Sequence, residues 1–464
     1  MRDPVAIQVV DLAFGDCGKG SVVDYFARRR CAGVVVRFNG GPQAGHNVVT
    51  AQGAHTFSQF GAGTFVAGVR TLLSRFMLIE PYAMFNEARH LESLGVADVW
   101  GRLLIDGCCP VITPAHQAAN RLRELARGRA AHGTCGMGVG ETVQDLRDHP
   151  DLVPHACELS DRAAISRKLR GLCDLKAGQL RDAIASLRTH PAAKFAVGTL
   201  TDRSWLGAAI DNYAELARRA VIAGESVVAA ALRFSGTILF EGAQGVLLDE
   251  NFGFHPHTTW STTTFGNADL LLDEARYHGR RYRLGVLRAY FTRHGPGPFV
   301  TEDDSLGPGL PEAHNAGTGW QGRFRVGLFD AVAARYALGV AGGVDGLAMT
   351  HLDRLPAVGY RMCRAYAADG PFDSAQDRPA DGDSEHLIRD GAGRVIGLRV
   401  HHTADLTRQE RLTGLLSRCR PIDTQPTGGN AGTFLDAIEE ELRIHVLVTS
   451  QGPAAKDKSQ LRDL

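Results

Sequence analysis

The stretch Asp11–Phe26, DLAFGDCGKGSVVDYF, decides how this chain is read. A short apolar run precedes it (Ala6, Ile7, Val9, Val10) and an apolar-periodic segment closes it (Val22, Val23, Tyr25, Phe26). That pattern predicts a strand, a turn and a helix. Between them stand Gly15, Gly18 and Gly20, with Asp16 and Lys19 interleaved. Glycines at this spacing let consecutive backbone N–H groups converge on an anion, and the helix adds its N-terminal dipole. Lys19 supplies a point positive charge. The standard phosphate loop, GxxxxGK[ST], is not met, because a glycine follows the lysine and the first glycine stands too near it. Taken alone, the glycines fit an ordinary strand–turn–helix equally well. Asp16 tips the reading: a carboxylate among phosphate-binding amides repels phosphate unless it binds Mg2+ or removes a proton.

The alternation recurs outward from this point. Apolar runs at Val5–Asp11, Gly33–Phe38, Leu103–Ile105, Gly236–Phe240, Arg283–Ala289, Asp345–Thr350 and His445–Ser450 are separated by helical patterns such as Arg162–Arg188, Leu206–Ala223 and Leu328–Leu338. Strands alternating with helices predict an α/β protein whose large, mostly parallel central sheet is covered by helices. No internal repeat is present. The 464 residues, 44% hydrophobic and 22% charged, suffice for one large domain spanning 1–464 with inserted loops. The Gly/Pro/Asp-rich segment 370–383 reads as an exposed loop and 454–464 as a surface tail. Lys plus Arg and Asp plus Glu number 51 each, which leaves no field for nucleic acid or anionic lipid and points to small-molecule partners. No apolar run reaches the length of a membrane span, and the first residues lack a secretory pattern. Nine cysteines without a CxxC pair read as reduced thiols of a cytoplasmic protein.

Three more strand ends carry polar groups. In VVVRFNGGPQAGHNVV, Val34–Val49, glycines flank His46 just beyond a strand. There His46 suits an acid or a group that polarises a phosphate oxygen. A lone histidine is more often structural, but its place beside the first loop of a parallel sheet favours function. In Ile238–Thr264, a strand ends in Glu241-Gly242-Ala243-Gln244-Gly245, and a hydroxyl-rich run with Trp260 inside it spans Thr258–Thr264. Hydroxyls in loops are usually surface decoration; this density also suits a phosphate or sugar. His255 and His257 lack a nearby third ligand and are not read as a metal site. MTHLDRL, Met349–Leu355, ends a strand with Asp353, which fits either a helix cap or acceptance of two N–H bonds from a guanine edge.

Taken in order, these segments resemble the adenylosuccinate synthetase family over nearly the whole chain. GDCGKGSVVD is similar to the family's GDEGKGK-type loop, RFNGGPQAGHNVV to its GGxNAGH segment, FEGAQGVLLDENFGFHPHTT to its EGAQGxLLDxxxGxYPxVT signature, and TRHGPGPFVTE to its TRxGxGPFPTE. HLDRL and SQGP stand where the family has its guanine-binding aspartate and its C-terminal STGP turn. The resemblance implies a P-loop-NTPase-like fold and a GTP-dependent carbon–nitrogen ligase of purine biosynthesis. GTP phosphorylates the 6-oxygen of IMP, and the amino group of L-aspartate displaces the phosphate. It implies Asp16 as base on the purine N1 and ligand of Mg2+, with the Gly45 carbonyl completing the metal shell. It implies His46 on the phosphoryl group in flight and Lys19, with Gly15, Gly18 and Gly20, on the nucleotide phosphates. Gln244 would orient the purine 6-oxygen, and Gln43, Thr134, Cys135 and Thr259 would line the acceptor site. Asp353 would read guanine, flanked by His351, Ser450, Gly452 and Pro453. In GTGWQGRFRVG, Arg323 and Arg325 match the fork that clamps the aspartate carboxylates. The partners implied are these small molecules and a second copy in a homodimer.

Departures gather on the acceptor side. Cys17 replaces the loop glutamate, and Pro42 and Gln43 replace a histidine–asparagine pair. In HGTCGMGVGE, Cys135 and Met137 replace a threonine and an arginine. Arg147 is the nearest candidate for the arginine that the family lends across its dimer, and His351 replaces a lysine. Two other readings follow: a paralogue coupling aspartate to a different acceptor, a modified purine nucleotide or another heterocycle, and a GTP-binding regulatory protein without catalysis.

Overall fold

The computed structural model describes residues 4–128, 131–312, 320–368 and 384–464. The expected loop at 370–383 lies outside the described residues. Among these, the main sheet has ten strands: β1 (Val5–Asp11), β2 (Val34–Arg37), β3 (Arg70–Leu73), β4 (Leu103–Asp106), β5 (Val221–Ala223), β6 (Thr237–Glu241), β7 (Arg280–Arg288), β8 (Gly346–Thr350), β9 (Val446–Ser450) and β10 (Lys458–Gln460). Their spatial order is β10-β9-β8-β7-β1-β6-β2-β3-β4-β5. All neighbours pair parallel except β9 with β10.

β1 lies at the centre and is buried almost throughout, as a strand covered by helices on both sides must be. Its one polar interior residue, Gln8, donates its Nε2 to Asp269 at 2.8 Å. Helix α1 (Lys19–Arg29) follows the first loop, and α2 (Pro114–Arg127), α3 (Val139–Asp148) and α4 (Arg162–Gln179) form a helical layer beside β4. This layer has its own apolar core, which includes Ala115, Ala119, Leu122 and Leu172. Beneath α3 lies a buried charge cluster in which the Lys176 ammonium bonds Glu141 and Asp145 at 2.8 Å each. A second, antiparallel sheet of Ala365–Ala368, Leu387–Arg389, Val395–Leu398 and Cys419–Ile422 packs toward the C-terminus.

Several expectations need correction. The helix read over Leu206–Ala223 ends at Arg219, and Val221–Ala223 is an edge strand of the main sheet. Arg162–Arg188 is two helices, separated at Leu180. The helix read over Leu328–Leu338 starts at Ala331, because Asp330 caps it by accepting the Ala333 amide. The segment 454–464 lies at the surface except for Lys458, and within it β10 closes the sheet edge.

Candidate functional site

The site is built where parallel strands end. Asp11, the last residue of β1, turns its carboxylate into the loop that it opens. It accepts the amides of Ala13 (2.9 Å), Gly15 (3.2 Å) and Cys17 (2.9 Å) and the Lys19 ammonium (3.1 Å). Lys19 also donates to the Gln244 carbonyl at 2.6 Å. Its charge therefore lies beneath the loop, stitching β1 to the segment after β6, rather than on display as a lone cation. Asp11 occupies those three amides, so the donors left to an anion include those of the first turn of α1. They lack intrahelical acceptors and stand at the positive end of its dipole. Gly18, at φ +85°, makes the turn into that helix.

Asp16 sits at φ +60°, a strained position for a non-glycine residue. Arg288 holds its carbonyl at 3.3 Å, and His294 Nε2 meets its Oδ2 at 3.1 Å. Burial opposes ionisation of Asp16, but the His294 hydrogen bond and the nearby charges of His294, Arg288 and Lys19 win and lower its pKa. Cys17 points the other way. It is fully buried, and burial with the Asp11 charge pushes its thiol well up. At the position where the resembling family has a glutamate, this chain therefore places a core residue, and Thr350 anchors its carbonyl at 2.8 Å.

The hairpin His46–Thr50/Gly53–Phe57 packs directly on the loop. A Cβ on Gly20 would lie 2.6 Å from the His46 Cβ, so only glycine permits this approach. His46 Nδ1 meets Glu241 Oε1 at 2.6 Å, and the Ala62 amide donates to the other carboxylate oxygen at 2.9 Å. Burial outweighs Glu241 and lowers His46 to about 4. The imidazole is thus neutral at pH 7, with Nδ1–H donated to Glu241 and Nε2 left over. Glu241, at the very end of β6, is the buried partner of His46 that its sequence context did not assign.

Gln244, at φ +55°, has a buried Oε1 without a protein partner, and both amide atoms of Gln43 are likewise unsatisfied. The two side chains flank the Gly40-Gly41 turn, where added Cβ atoms would lie 2.9 Å from Gln244 Oε1 and Gln43 Oε1 respectively. Buried amides without partners mark a place where a ligand completes the hydrogen bonding. Asn39 and Ala243 exchange two hydrogen bonds (3.1 and 2.7 Å) that join the ends of β2 and β6. Within the hydroxyl run, Ser261 accepts the Gly40 amide and Thr263 bonds Asp249, so these two are structural. Thr259 is half-buried, and the exposed Trp260 beside it carries Arg147 over its face at 5.4 Å.

Asp353 follows β8, and Ser450 ends the adjacent strand β9. Thr350 Oγ1 links the loop carbonyl of Cys17 to His351 Nδ1, 2.9 Å away. Burial, then the charge of Arg288, holds His351 well below the usual histidine range. Asp353 is partly exposed and pairs with Arg354 at 3.0 Å. Ser450 donates to the Gly452 carbonyl, which with that of Ala454 also receives the buried Lys458 ammonium. Burial lowers Lys458 to about 8.

On the opposite side, the loop His132–Gly138 folds around Glu124 of α2. That carboxylate accepts the amides of His132, Gly133 and Thr134 at 3.4, 2.9 and 3.1 Å. The Thr134 hydroxyl accepts from Asn120, and Cys135 is half-buried. A Cβ on Gly133 would meet Pro296 at 2.5 Å and the Gln321 carbonyl at 3.2 Å, so this loop, the TRHGPGP loop and the arginine loop converge. Arg323 and Arg325 flank Phe324 on a strand paired with Phe291–His294, and both reach Glu302, at 2.6 and 2.5 Å. Arg325 is only 14% exposed and is further fixed by the carbonyls of Gly295 and Gly297; Arg323, 61% exposed, is held by Glu302 and, at 3.1 Å, by Asp304.

For a metal, the half-exposed carboxylate of Asp16 and the exposed carbonyl of Gly45 are hard oxygen donors that suit Mg2+ completed by phosphate oxygens. Among the described residues no group of three or more His, Cys, Asp or Glu side chains gathers as a ligand set. His255 faces Glu410 at 3.6 Å instead.

The family model described as adenylosuccinate synthetase matches residues 8–390. The adenylosuccinate synthetase of Halorhodospira halophila is 32% identical over 462 residues, covering 96% of each chain. That of Chromohalobacter salexigens is 33% identical over 447 residues, covering 91% of this chain and 96% of its own. Among solved structures, the fully ligated adenylosuccinate synthetase of Plasmodium falciparum superposes with TM-score 0.74 at 19% identity, covering 98% of this chain and 99% of that one. The succinoaminodeoxyadenylate synthetase of cyanophage S-2L, bound to dGMP and dATP, gives 0.60 at 16% identity, covering 100% and 97%. These two likenesses bear on the fold.

Proposed function

The chain belongs to the adenylosuccinate synthetase family, and we propose that it works as one: a GTP-dependent carbon–nitrogen ligase that converts IMP and L-aspartate to adenylosuccinate, GDP and phosphate. The observation that carries this reading is the meeting of Asp16, the His46–Glu241 pair and Gln244 around one glycine loop. Asp16 takes the N1 proton of the purine while the 6-oxygen attacks the γ-phosphorus, and GDP departs. Its lowered pKa keeps the carboxylate ionised and ready. Gln244 and Gln43 offer their unsatisfied amides to the acceptor. His46, neutral in the free protein, gains charge when phosphoryl oxygens arrive beside it, because a dianion and Glu241 together favour the imidazolium. Lys19 acts from below, holding the loop in shape while the α1 amides meet the phosphates. Mg2+, when bound, is held by Asp16 and the Gly45 carbonyl and neutralises charge on the transferring group. In the second step the aspartate amine attacks C6 and phosphate leaves.

Arg323 and Arg325 receive the aspartate carboxylates, and their present grip on Glu302 supports that assignment, since a carboxylate already fills the fork. Asp353 reads guanine beside His351, Ser450, Gly452 and Pro453. Thr134, Cys135 and Thr259 line the acceptor side. The protein is a cytoplasmic homodimer in this reading; its nine free cysteines support the compartment.

The test is phosphate release from GTP with aspartate and a panel of 6-oxopurine acceptors. Turnover with IMP is expected. Turnover with a different acceptor alone overturns the acceptor assignment. Tight GTP binding without any turnover replaces the enzyme by a regulatory GTP-binding protein.

A further inference from the structure

We propose that His294 is a positioning residue, which aims the Asp16 carboxylate and ties that aim to the strand carrying the arginine fork. This rests on the reading of Asp16 as the base. Asp16 is half-exposed on a left-handed backbone, and only its carbonyl is held, by Arg288. Left so, its side chain would sample several rotamers. A base must lie within about 2.6–3.2 Å of the proton that it takes, and an error near 1 Å costs about 100-fold. His294 Nε2–H supplies the missing restraint: at 3.1 Å it engages one lone pair of Oδ2, which leaves Oδ1 for the substrate proton and the second lone pair of Oδ2 for Mg2+ when it is bound.

The other end of the connection is equally specific. His294 pairs in register with Phe324, and its ring packs edge-on against that phenyl ring, 4.8 Å between centroids. Phe324 separates Arg323 from Arg325. A shift of the arginine strand when it takes up a dicarboxylate is therefore passed through one aromatic contact and one hydrogen bond to the base. Sequence reading passed over this residue because it stands in a loop whose neighbours, Arg293 and the glycines, carry the recognisable pattern.

Two variants separate the donor from the ring. His294→Phe keeps a ring against Phe324 and removes the N–H; His294→Gln keeps an N–H at similar reach and removes the ring. The first readout is positional isotope exchange within labelled GTP in the presence of IMP and without aspartate, which follows phosphoryl transfer alone. His294→Phe should lower this exchange, and kcat, about 10–100-fold with the KM for GTP unchanged, the usual cost of losing an orienting partner. His294→Gln should recover most of the exchange. An unimpaired Phe variant, or a Gln variant as slow as Phe, overturns the proposal. Should the wild-type protein exchange with no 6-oxopurine nucleotide, the functional reading falls. The pairing is then judged by the 15N resonance of His294 Nε2, which must move in Asp16→Asn; an unmoved resonance overturns it.

Discussion

Two loops in this molecule are folded around a buried carboxylate, and they are built to different standards. The loop Gly15–Gly20 wraps Asp11, which ends the central strand and is matched by Lys19, 3% exposed. The loop His132–Gly138 wraps Glu124, which projects from a helix and is matched by Arg127, 36% exposed. Removing either carboxylate frees amides, but only the first removal strands a charge in the core. The lesson is that the first loop, proposed to handle the nucleotide phosphates, is part of the sheet's own interior, while the second is fastened from outside. Of the substitutions relative to the family, Cys135 and Met137 fall on the second loop; on the first, the one substitution, Cys17, is turned into the core.

Five measurements press on this contrast. Asp16→Asn should cut turnover by about 100- to 10,000-fold, the range of a lost general base, while calorimetric titration shows GTP binding intact; surviving activity ends the assignment. Asp11→Asn should cost about 3–5 kcal/mol in denaturant unfolding, because buried Lys19 is left uncompensated. The transferring side should also betray itself in its pH response. His46 has a folded pKa of about 4 against 6.5 unfolded, so the unfolded chain takes its proton first as pH falls. Stability is then complete above pH 6.5 and declines by about 2–3 kcal/mol toward pH 4 through this residue. A slope unaltered in His46→Asn would refute the claim. Asp353→Asn should narrow the preference for GTP over other nucleotides by about tenfold, the scale of one charged hydrogen bond. Glu124→Gln should cost only about 1 kcal/mol and raise the acceptor KM while leaving that for GTP alone. Equal losses from Asp11→Asn and Glu124→Gln would break the comparison.

Much of the fold was readable because β1, β8, β9 and the second half of β7 are apolar runs bounded by glycines or charges. The short edge strand Val221–Ala223 was not, since it directly follows a helix ending in two arginines and no breaker separates them. Within the site, Asp16, His46 and Gln244 were legible as polar residues at strand ends. Their partners were not. Asp11 and Glu124 act on amides folded back upon them, Glu241 reaches a histidine 195 positions away, and His294 reaches Asp16 across 278 positions (294 less 16). Local pattern carries a residue's type but not the side chain that a crossover connection brings to it. Lys19, read as a phosphate ligand, points downward, because its charge is taken by Asp11 and the Gln244 carbonyl.

The thiol of Cys17 turns this architecture into a clock. It lies wholly inside the core beneath the loop, protonated and shielded, while the carbonyl of the same residue is latched to Thr350. An alkylating reagent can reach it only when the loop lifts away from β8. Its labelling rate in the native protein therefore counts loop openings, and a nucleotide that seats on α1 should slow that count.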